Sequence, residues 1–176
     1  MVRPAWEDDV ERGLDERLAH APVRVRGNCY EDFEEGRVFE HHWGRTVETA
    51  DNVIFNAATI HYNPLYFNAE RARADGHKGV VANPYLAFSI VFGLSVEDCS
   101  ERGGAFLGLD DLVFHKAVYP GDTLTARSTV LARRESKSDP DYGIVTWHTE
   151  GFDAGGDKVL EYKRSNLVIK RAASRV

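Results

Sequence analysis

The 176-residue sequence predicts an α+β fold in which one antiparallel sheet packs against one buried helix. Two observations support this prediction. After residue 104 the chain carries four segments rich in β-branched and aromatic residues, separated by turn sequences such as YPGD and AGGD. Before them lies NPYLAFSIVFGLSVED, which is apolar on nearly every side of a helix and is therefore expected to be buried.

The N-terminal half supplies the shorter elements. Residues 1–27 are expected to form an N-terminal extension that contains a polar helix. RVFEHHWGRTV then indicates a strand, and Thr49 is a suitable N-cap for the helix ADNVIFNAATI, which Pro64 ends. Asn68 is expected to cap a second, short helix that stops at Gly76.

Local signals also define the long helix and the strands. Asn83 is a good N-cap, and Pro84 occupies the first helical position, where a missing N–H costs nothing. In the strand segment IVTWHTE, alternation predicts that Val145 and Trp147 point to one face and His148 to the other.

Composition restricts the classes of function. Charged residues make up 28% of the chain and the net charge is −6, whereas a nucleic-acid-binding protein needs a basic surface. The two cysteines, Cys29 and Cys99, form no CxxC pair and no metal-ligand spacing, so free thiols are expected. We expect a cytoplasmic protein that does not bind membranes, because the N-terminus lacks an apolar signal segment and the longest apolar stretch is too short to span a bilayer.

A motif in the middle of the chain suggests a family. FNAATIHYNPLYFN, residues 55–68, followed by VVANPYLAF, resembles the signature of the MaoC-like (R)-specific enoyl-CoA hydratases. The segments GRTVETADN, VFGLSVED and RRESKSDPDYGIVTW are more similar to one branch, the mesaconyl-CoA hydratases (β-methylmalyl-CoA dehydratases). The resemblance covers about residues 30–170. It implies a hotdog fold, in which a curved antiparallel sheet wraps around one long buried helix, with a single such domain over residues 28–176.

The resemblance also implies a chemistry. In the family an Asp and a His hold one water, which adds across the C=C bond of an enoyl thioester, and the N–H of a glycine at the helix start stabilises the thioester oxygen. Here His61 stands at the position of the Asp, Tyr66 at that of the His and Pro84 at that of the glycine. We interpret His61 and Tyr66 as an altered acid–base pair, with His61 as the base on water and Tyr66 as the donor or water holder.

The other expected substrate-binding residues follow from the loss of the glycine. Because proline has no N–H, the thioester oxygen is expected to shift to the N–H groups of Tyr85 and Leu86 at the helix start. Asn63, which the family motif keeps, and Asn83 complete the predicted set. Any ligand pocket should be bordered by the catalytic pair and by residues 81–86.

Structural roles remain open for the same residues. His61 is equally interpretable as a hydrogen-bonded histidine that lines a former active site, and Tyr66 as an aromatic residue that packs with its hydroxyl on a backbone group. Asn63 is interpretable as a turn residue, since Asn-Pro punctuates the chain between two helices.

Two functions are compatible with the sequence. One is a hydratase or dehydratase of a short or branched, mesaconyl-CoA-like enoyl-CoA thioester. The other is a catalytically degenerate hotdog subunit that binds acyl-CoA or pairs with an active partner chain, which the joint loss of Asp, His and glycine favours. No metal and no cofactor apart from the CoA of the substrate is expected. A homodimer or higher even oligomer is expected, because one hotdog unit has an open edge strand and half a ligand site.

Overall fold

The computed structural model describes residues 26–174, so nearly all of the expected N-terminal extension lies outside the described residues. The architecture is α+β, as predicted, with six antiparallel strands in the described chain. The strands are β1 (Val38–Glu40), β2 (Arg45–Thr46), β3 (Phe106–Phe114), β4 (Thr123–Glu135), β5 (Tyr142–Phe152) and β6 (Lys158–Ile169). The helices are α1 (Thr49–Ala58), α2 (Ala69–Ala74), α3 (Pro84–Leu94) and α4 (Val96–Cys99).

The sheet has the strand order β1-β4-β5-β6-β3, and β2 also pairs with β4. The long strands β4, β5 and β6 form its centre, and β3 is an edge strand whose one partner among residues 26–174 is β6. Along β5, Val145 and Trp147 are fully buried while His148 lies on the more exposed face, which confirms the predicted alternation. None of the described helices is long and apolar enough to cross a bilayer.

Helix α3 packs on the sheet through one face rather than through all sides. Leu86, Ala87, Ile90 and Val91 are buried, whereas the opposite face is exposed in the single chain. Close approach to β5 requires Gly151, because a Cβ atom there would lie 2.6 Å from a methyl group of Val91. The start of α3 lies beside the segment that joins α1 to α2, because the Asn83 side chain is 2.9 Å from His61.

Three element boundaries differ from the sequence-based expectation. The predicted N-terminal strand is two short strands, because the chain turns His41 inward, where it contacts Asp98 and Ser128. The N-cap of helix α1 is Glu48 rather than the expected Thr49, which is the first helical residue. The helix ends at Ala58, before the expected stop at Pro64. The long apolar helix is interrupted at residue 95, where the serine hydroxyl donates to the Phe92 carbonyl and competes with helical hydrogen bonding.

Candidate functional site

The turn between α1 and α2 presents the residues of the sequence motif. Asn63 is the N-cap of a 3₁₀ turn over Pro64–Tyr66, and its Oδ1 accepts the N–H of Leu65 at 3.0 Å. The N–H of Tyr66 donates to the backbone carbonyl of Asn63 at 3.1 Å. The motif asparagine therefore shapes the turn that carries the tyrosine.

The fold brings the two predicted catalytic residues together. The rings of His61 and Tyr66 meet edge to face, with centroids 5.2 Å apart and planes at 90°. Tyr85 lies on the other side of His61, with a centroid distance of 6.3 Å. His61 and Tyr66 are both half-buried, so a ligand can reach them.

Three buried asparagines lie behind this pair. Asn52 and Asn56 are four residues apart on one face of α1, and Asn83 caps α3. Their exposed fractions are 2%, 6% and 0%, and hydrogen bonds join all three side chains. The amide nitrogen of Asn83 lies 2.9 Å from Nδ1 of His61, which connects this asparagine cluster to the candidate catalytic residue.

The N–H groups at the start of α3 already have acceptors. The N–H of Tyr85 donates to Oδ1 of Asn83 at 3.0 Å, and the N–H of Leu86 donates to the Asn83 carbonyl at 2.9 Å. Pro84 offers no N–H at all. An oxyanion at the helix N-terminus would therefore have to displace the capping side chain. The side chain of Leu86 lies in the core, while that of Tyr85 is 53% exposed.

A cavity of about 330 Å³ opens beside the start of α3. Its apolar wall includes Val81, Ala87 and Phe114, and Tyr66 and Pro84 border it. Of the region expected to border a pocket, the tyrosine and residues 81, 82 and 84 do so, whereas His61 lies outside the lining.

Polar side chains give this cavity a distinct chemistry. His77, His115 and Lys116 lie in its lining, and Nδ1 of His77 is 2.9 Å from the hydroxyl of Tyr119. Tyr66 also lines a second cavity, of about 450 Å³. Among the described residues, no Asp or Glu lines either cavity.

Electrostatics favour a neutral phenol at the site. Burial raises the pKa of Tyr66 above its ordinary value, and the nearby Tyr85 acts in the same direction. The hydroxyl is therefore a proton-bearing donor at neutral pH. Within the described part of the chain it has no hydrogen-bond partner.

Sequence reasoning missed several of these residues. The i, i+4 spacing of Asn52 and Asn56 was the available signal for a shared buried face on α1. His77 lies outside the family motif, yet it lines the cavity and contacts Tyr119. No local pattern marks it, because the cavity is assembled from segments distant in sequence.

A cluster of possible metal ligands lies elsewhere, on β5 and β6. The side chains of His148, Glu150 and Glu161 approach one another closely enough to share an ion. The ammonium group of Lys158 already lies between the carboxylates, 2.6 Å from Glu150 and 2.9 Å from Glu161. We therefore assign these residues to an ion-pair network.

Sequence comparison relates the chain to one enzyme family. A family model described as mesaconyl-CoA hydratase matches residues 6–176, and the match begins inside the expected N-terminal extension. The mesaconyl-CoA hydratase of Haloarcula hispanica is 37% identical over 159 residues, which cover 90% of this chain and 44% of that relative. The chain thus spans less than half the length of the curated relatives of this name that it matches.

Solved structures agree with this relationship. A putative MaoC domain protein dehydratase from Chloroflexus aurantiacus superposes with a TM-score of 0.81 at 31% identity, covering 88% of this chain and 44% of that protein. A Mycobacterium tuberculosis protein with a double hotdog fold superposes with a TM-score of 0.78 at 23% identity, covering 88% of this chain and 48% of the other, which supports the fold alone. The predicted hotdog fold is thereby confirmed. Because the family model matches nearly its whole length, the chain belongs to the mesaconyl-CoA hydratase family of MaoC-like proteins.

Proposed function

We propose that the chain is part of a hydratase or dehydratase that acts on a short or branched enoyl-CoA thioester of the mesaconyl-CoA type. The observation that carries this proposal is the edge-to-face pair of His61 and Tyr66 at the family motif, beside an apolar cavity at the start of α3. Addition of water to a C=C bond conjugated with a thioester needs acid–base groups and a donor to the thioester oxygen, which are the residue types found here.

The size and lining of the cavity suit a substrate with a small, partly polar acyl group. Its volume of about 330 Å³ lies at the lower end of ordinary ligand pockets. Val81 and Ala87 offer apolar contacts to a branched carbon chain, and His77 and His115 offer polar contacts to a second acyl carboxylate. The name of the Haloarcula relative points to the same substrate class.

We propose further that the chain forms a homodimer or higher even oligomer through the edge strand β3. Phe106, Leu107 and Phe114 are 51%, 48% and 40% exposed on this strand. The ring of Tyr85 meets that of Phe114 at 6.2 Å, which extends the apolar surface onto the start of α3. Exposed apolar edge strands promote pairing with other chains, so proteins usually cover them. Because Phe114 also lines the cavity, a partner would lie beside the candidate site.

A second candidate function is an acyl-CoA-binding subunit that pairs with a catalytically complete hotdog chain. The absence of an Asp or Glu from the lining of both cavities, among residues 26–174, favours it, as does the proline at the oxyanion position. In this case the partner would supply the base.

Turnover of the purified chain distinguishes these functions. The assay follows hydration of crotonyl-, mesaconyl-, itaconyl- and a long-chain enoyl-CoA, with the melting temperature measured in the presence of each ester and of free CoA. Hydration of mesaconyl-CoA by the chain alone, with little activity on the long-chain ester, supports the enzyme. A raised melting temperature without turnover supports the binding subunit. If the chain shows no turnover and no melting shift beyond that of free CoA, the result contradicts both functions.

A further inference from the structure

The orientation of the Asn52 side chain has a single solution. Its Nδ2 donates to the backbone carbonyls of Tyr66 at 2.9 Å and Val81 at 3.2 Å, and its Oδ1 accepts the backbone N–H of Asn83 at 2.8 Å. A carbonyl only accepts and a backbone N–H only donates, so the amide cannot be flipped without losing all three hydrogen bonds.

The orientation of Asn52 determines the orientations of the side-chain amides of Asn56 and Asn83. Nδ2 of Asn56 donates to Oδ1 of Asn52 and to the Tyr66 carbonyl, each at 3.3 Å, so its Oδ1 faces Asn83. Nδ2 of Asn83 donates to that oxygen at 2.8 Å. Independently, Oδ1 of Asn83 accepts the backbone N–H of Tyr85 at 3.0 Å. Hydrogen bonds at both Nδ2 and Oδ1 therefore determine the orientation of the Asn83 side-chain amide.

The remaining amide hydrogen of Asn83 determines the tautomer of His61. It points to Nδ1 of the imidazole at 2.9 Å, so this nitrogen must accept. A neutral imidazole whose Nδ1 accepts carries its hydrogen on Nε2. In the described part of the chain Nε2 has no hydrogen-bond partner, so this N–H is available to a ligand.

We propose that His61 is a hydrogen-bond donor to the thioester oxygen, and that Asn52, Asn56 and Asn83 are positioning residues that fix its tautomer. Together with the protonated Tyr66 hydroxyl, the Nε2–H group replaces the backbone N–H that a proline at the helix start lacks. Because His61 then does not take the proton from water, another group must accept it, and His77 and His115 in the cavity lining are the imidazoles available for this step. Neutral imidazole and phenol groups stabilise an oxyanion in this way. The inference rests on the proposed function and reverses the sequence-based interpretation of His61 as the base.

The tautomer is tested by nitrogen NMR on the ¹⁵N-labelled full chain, with His61→Gln used to assign the signals. We expect a protonated Nε2 and an unprotonated Nδ1 at His61. Asn83→Asp keeps an acceptor for the Tyr85 N–H and places a carboxylate opposite Nδ1, so it should move the hydrogen to Nδ1. A hydrogen on Nδ1 in the unaltered chain, or no change in Asn83→Asp, overturns the inference. This measurement needs no turnover, so it is independent of the proposed function.

The role of His61 is tested with two substitutions. A glutamine can present an N–H donor near the former Nε2 position but cannot take a proton from water, whereas alanine does neither. We expect His61→Gln to keep kcat within about tenfold, and His61→Ala to lose about 10²–10³, the usual effect of one oxyanion donor. Equal loss in both variants overturns the donor role. If the unaltered chain does not turn over, the proposed function fails, and the same comparison is made on the Kd of crotonyl-CoA, where equal weakening overturns the inference.

Discussion

The side-chain amide of Asn52 donates to the backbone carbonyl of Tyr66 at 2.9 Å, which ties α1 to the turn that presents the tyrosine ring. The same side chain donates to Val81 and accepts from Asn83. Since Asn52 is 2% exposed, water cannot replace these contacts. One side chain therefore holds together the three segments that form the candidate site.

We expect Asn52→Ala to lower the free energy of unfolding by about 2–4 kcal/mol, because the buried Val81 carbonyl and Asn83 N–H lose a partner and each unsatisfied group costs about 1–3 kcal/mol. Equilibrium urea unfolding measures the change. The control is Asn63→Ala, an exposed cap that loses one hydrogen bond to Leu65 and should cost about 1 kcal/mol. Equal effects of the two substitutions would contradict a special role for Asn52.

Tyr66→Phe should separate chemistry from stability. The hydroxyl has no partner among residues 26–174, so its removal should change the free energy of unfolding by less than about 0.5 kcal/mol. If the hydroxyl donates to the thioester oxygen, kcat should fall about 10²-fold. Urea unfolding and steady-state kinetics on the preferred thioester measure the two effects. Unchanged kcat would show that Tyr66 does not contact the reacting group.

A buried histidine outside the candidate site, His41, should make stability depend on pH. Nδ1 of His41 lies 2.6 Å from Asp98 and Nε2 lies 2.8 Å from Ser128. Burial lowers the pKa of His41 below 6.5, although the carboxylate of Asp98 opposes this shift. As pH falls from 6.5 towards the lowered value, the unfolded chain binds more protons than the folded chain, so the free energy of unfolding decreases.

The test is urea unfolding above and below pH 6.5. His41→Gln keeps hydrogen-bonding groups but does not titrate, so its free energy of unfolding should change less over this interval than that of the unaltered chain. His42→Gln is the matched control, because the neighbouring imidazole is 56% exposed. A pH dependence that is the same in His41→Gln as in the unaltered chain would exclude His41 as its source.

Alanine substitutions at two glycines, one at the contact between α3 and β5 and one on the open face of α3, should change stability in opposite directions. Gly151→Ala places a methyl group 2.6 Å from Val91 and should destabilise the fold by about 1–3 kcal/mol through overpacking. Gly93→Ala lies in α3 with open space around it and should stabilise the fold by about 0.5–1 kcal/mol through helix propensity. Thermal unfolding of both variants checks the signs, and destabilisation by Gly93→Ala would show that this position is covered.

Sequence reasoning succeeded where the determining interaction is local. The Asn83 cap, the proline after it and the alternation of Val145 and Trp147 are set by neighbouring residues, and the structure agrees with all of them. The tautomer of His61 has a different origin. It depends on a hydrogen bond between Asn83 and Asn52, 31 residues apart, and on carbonyls of two other segments. Such a network exists only after the chain has folded, so no motif displays it.

The exposed edge strand β3 leads to a prediction about assembly. We expect Leu107→Asp to convert an even oligomer to a monomer, because it places a charge on the apolar surface proposed to pair with another chain. Val38→Asp is the control: Val38 is 50% exposed but lies on β1, at the opposite edge of the sheet. Light scattering at micromolar concentration measures the mass of each variant.

This experiment distinguishes β3 from β1 as the edge strand that forms the interface. Dissociation by Leu107→Asp alone places the interface at β3, whereas dissociation by Val38→Asp alone moves it to β1. A monomeric unaltered chain would contradict the proposed oligomer. Because Phe114 belongs both to β3 and to the cavity lining, dissociation at β3 should also weaken binding of the thioester. If the variant dissociates and also binds the thioester more weakly, while its circular dichroism is unchanged, the result would show that the partner completes the site.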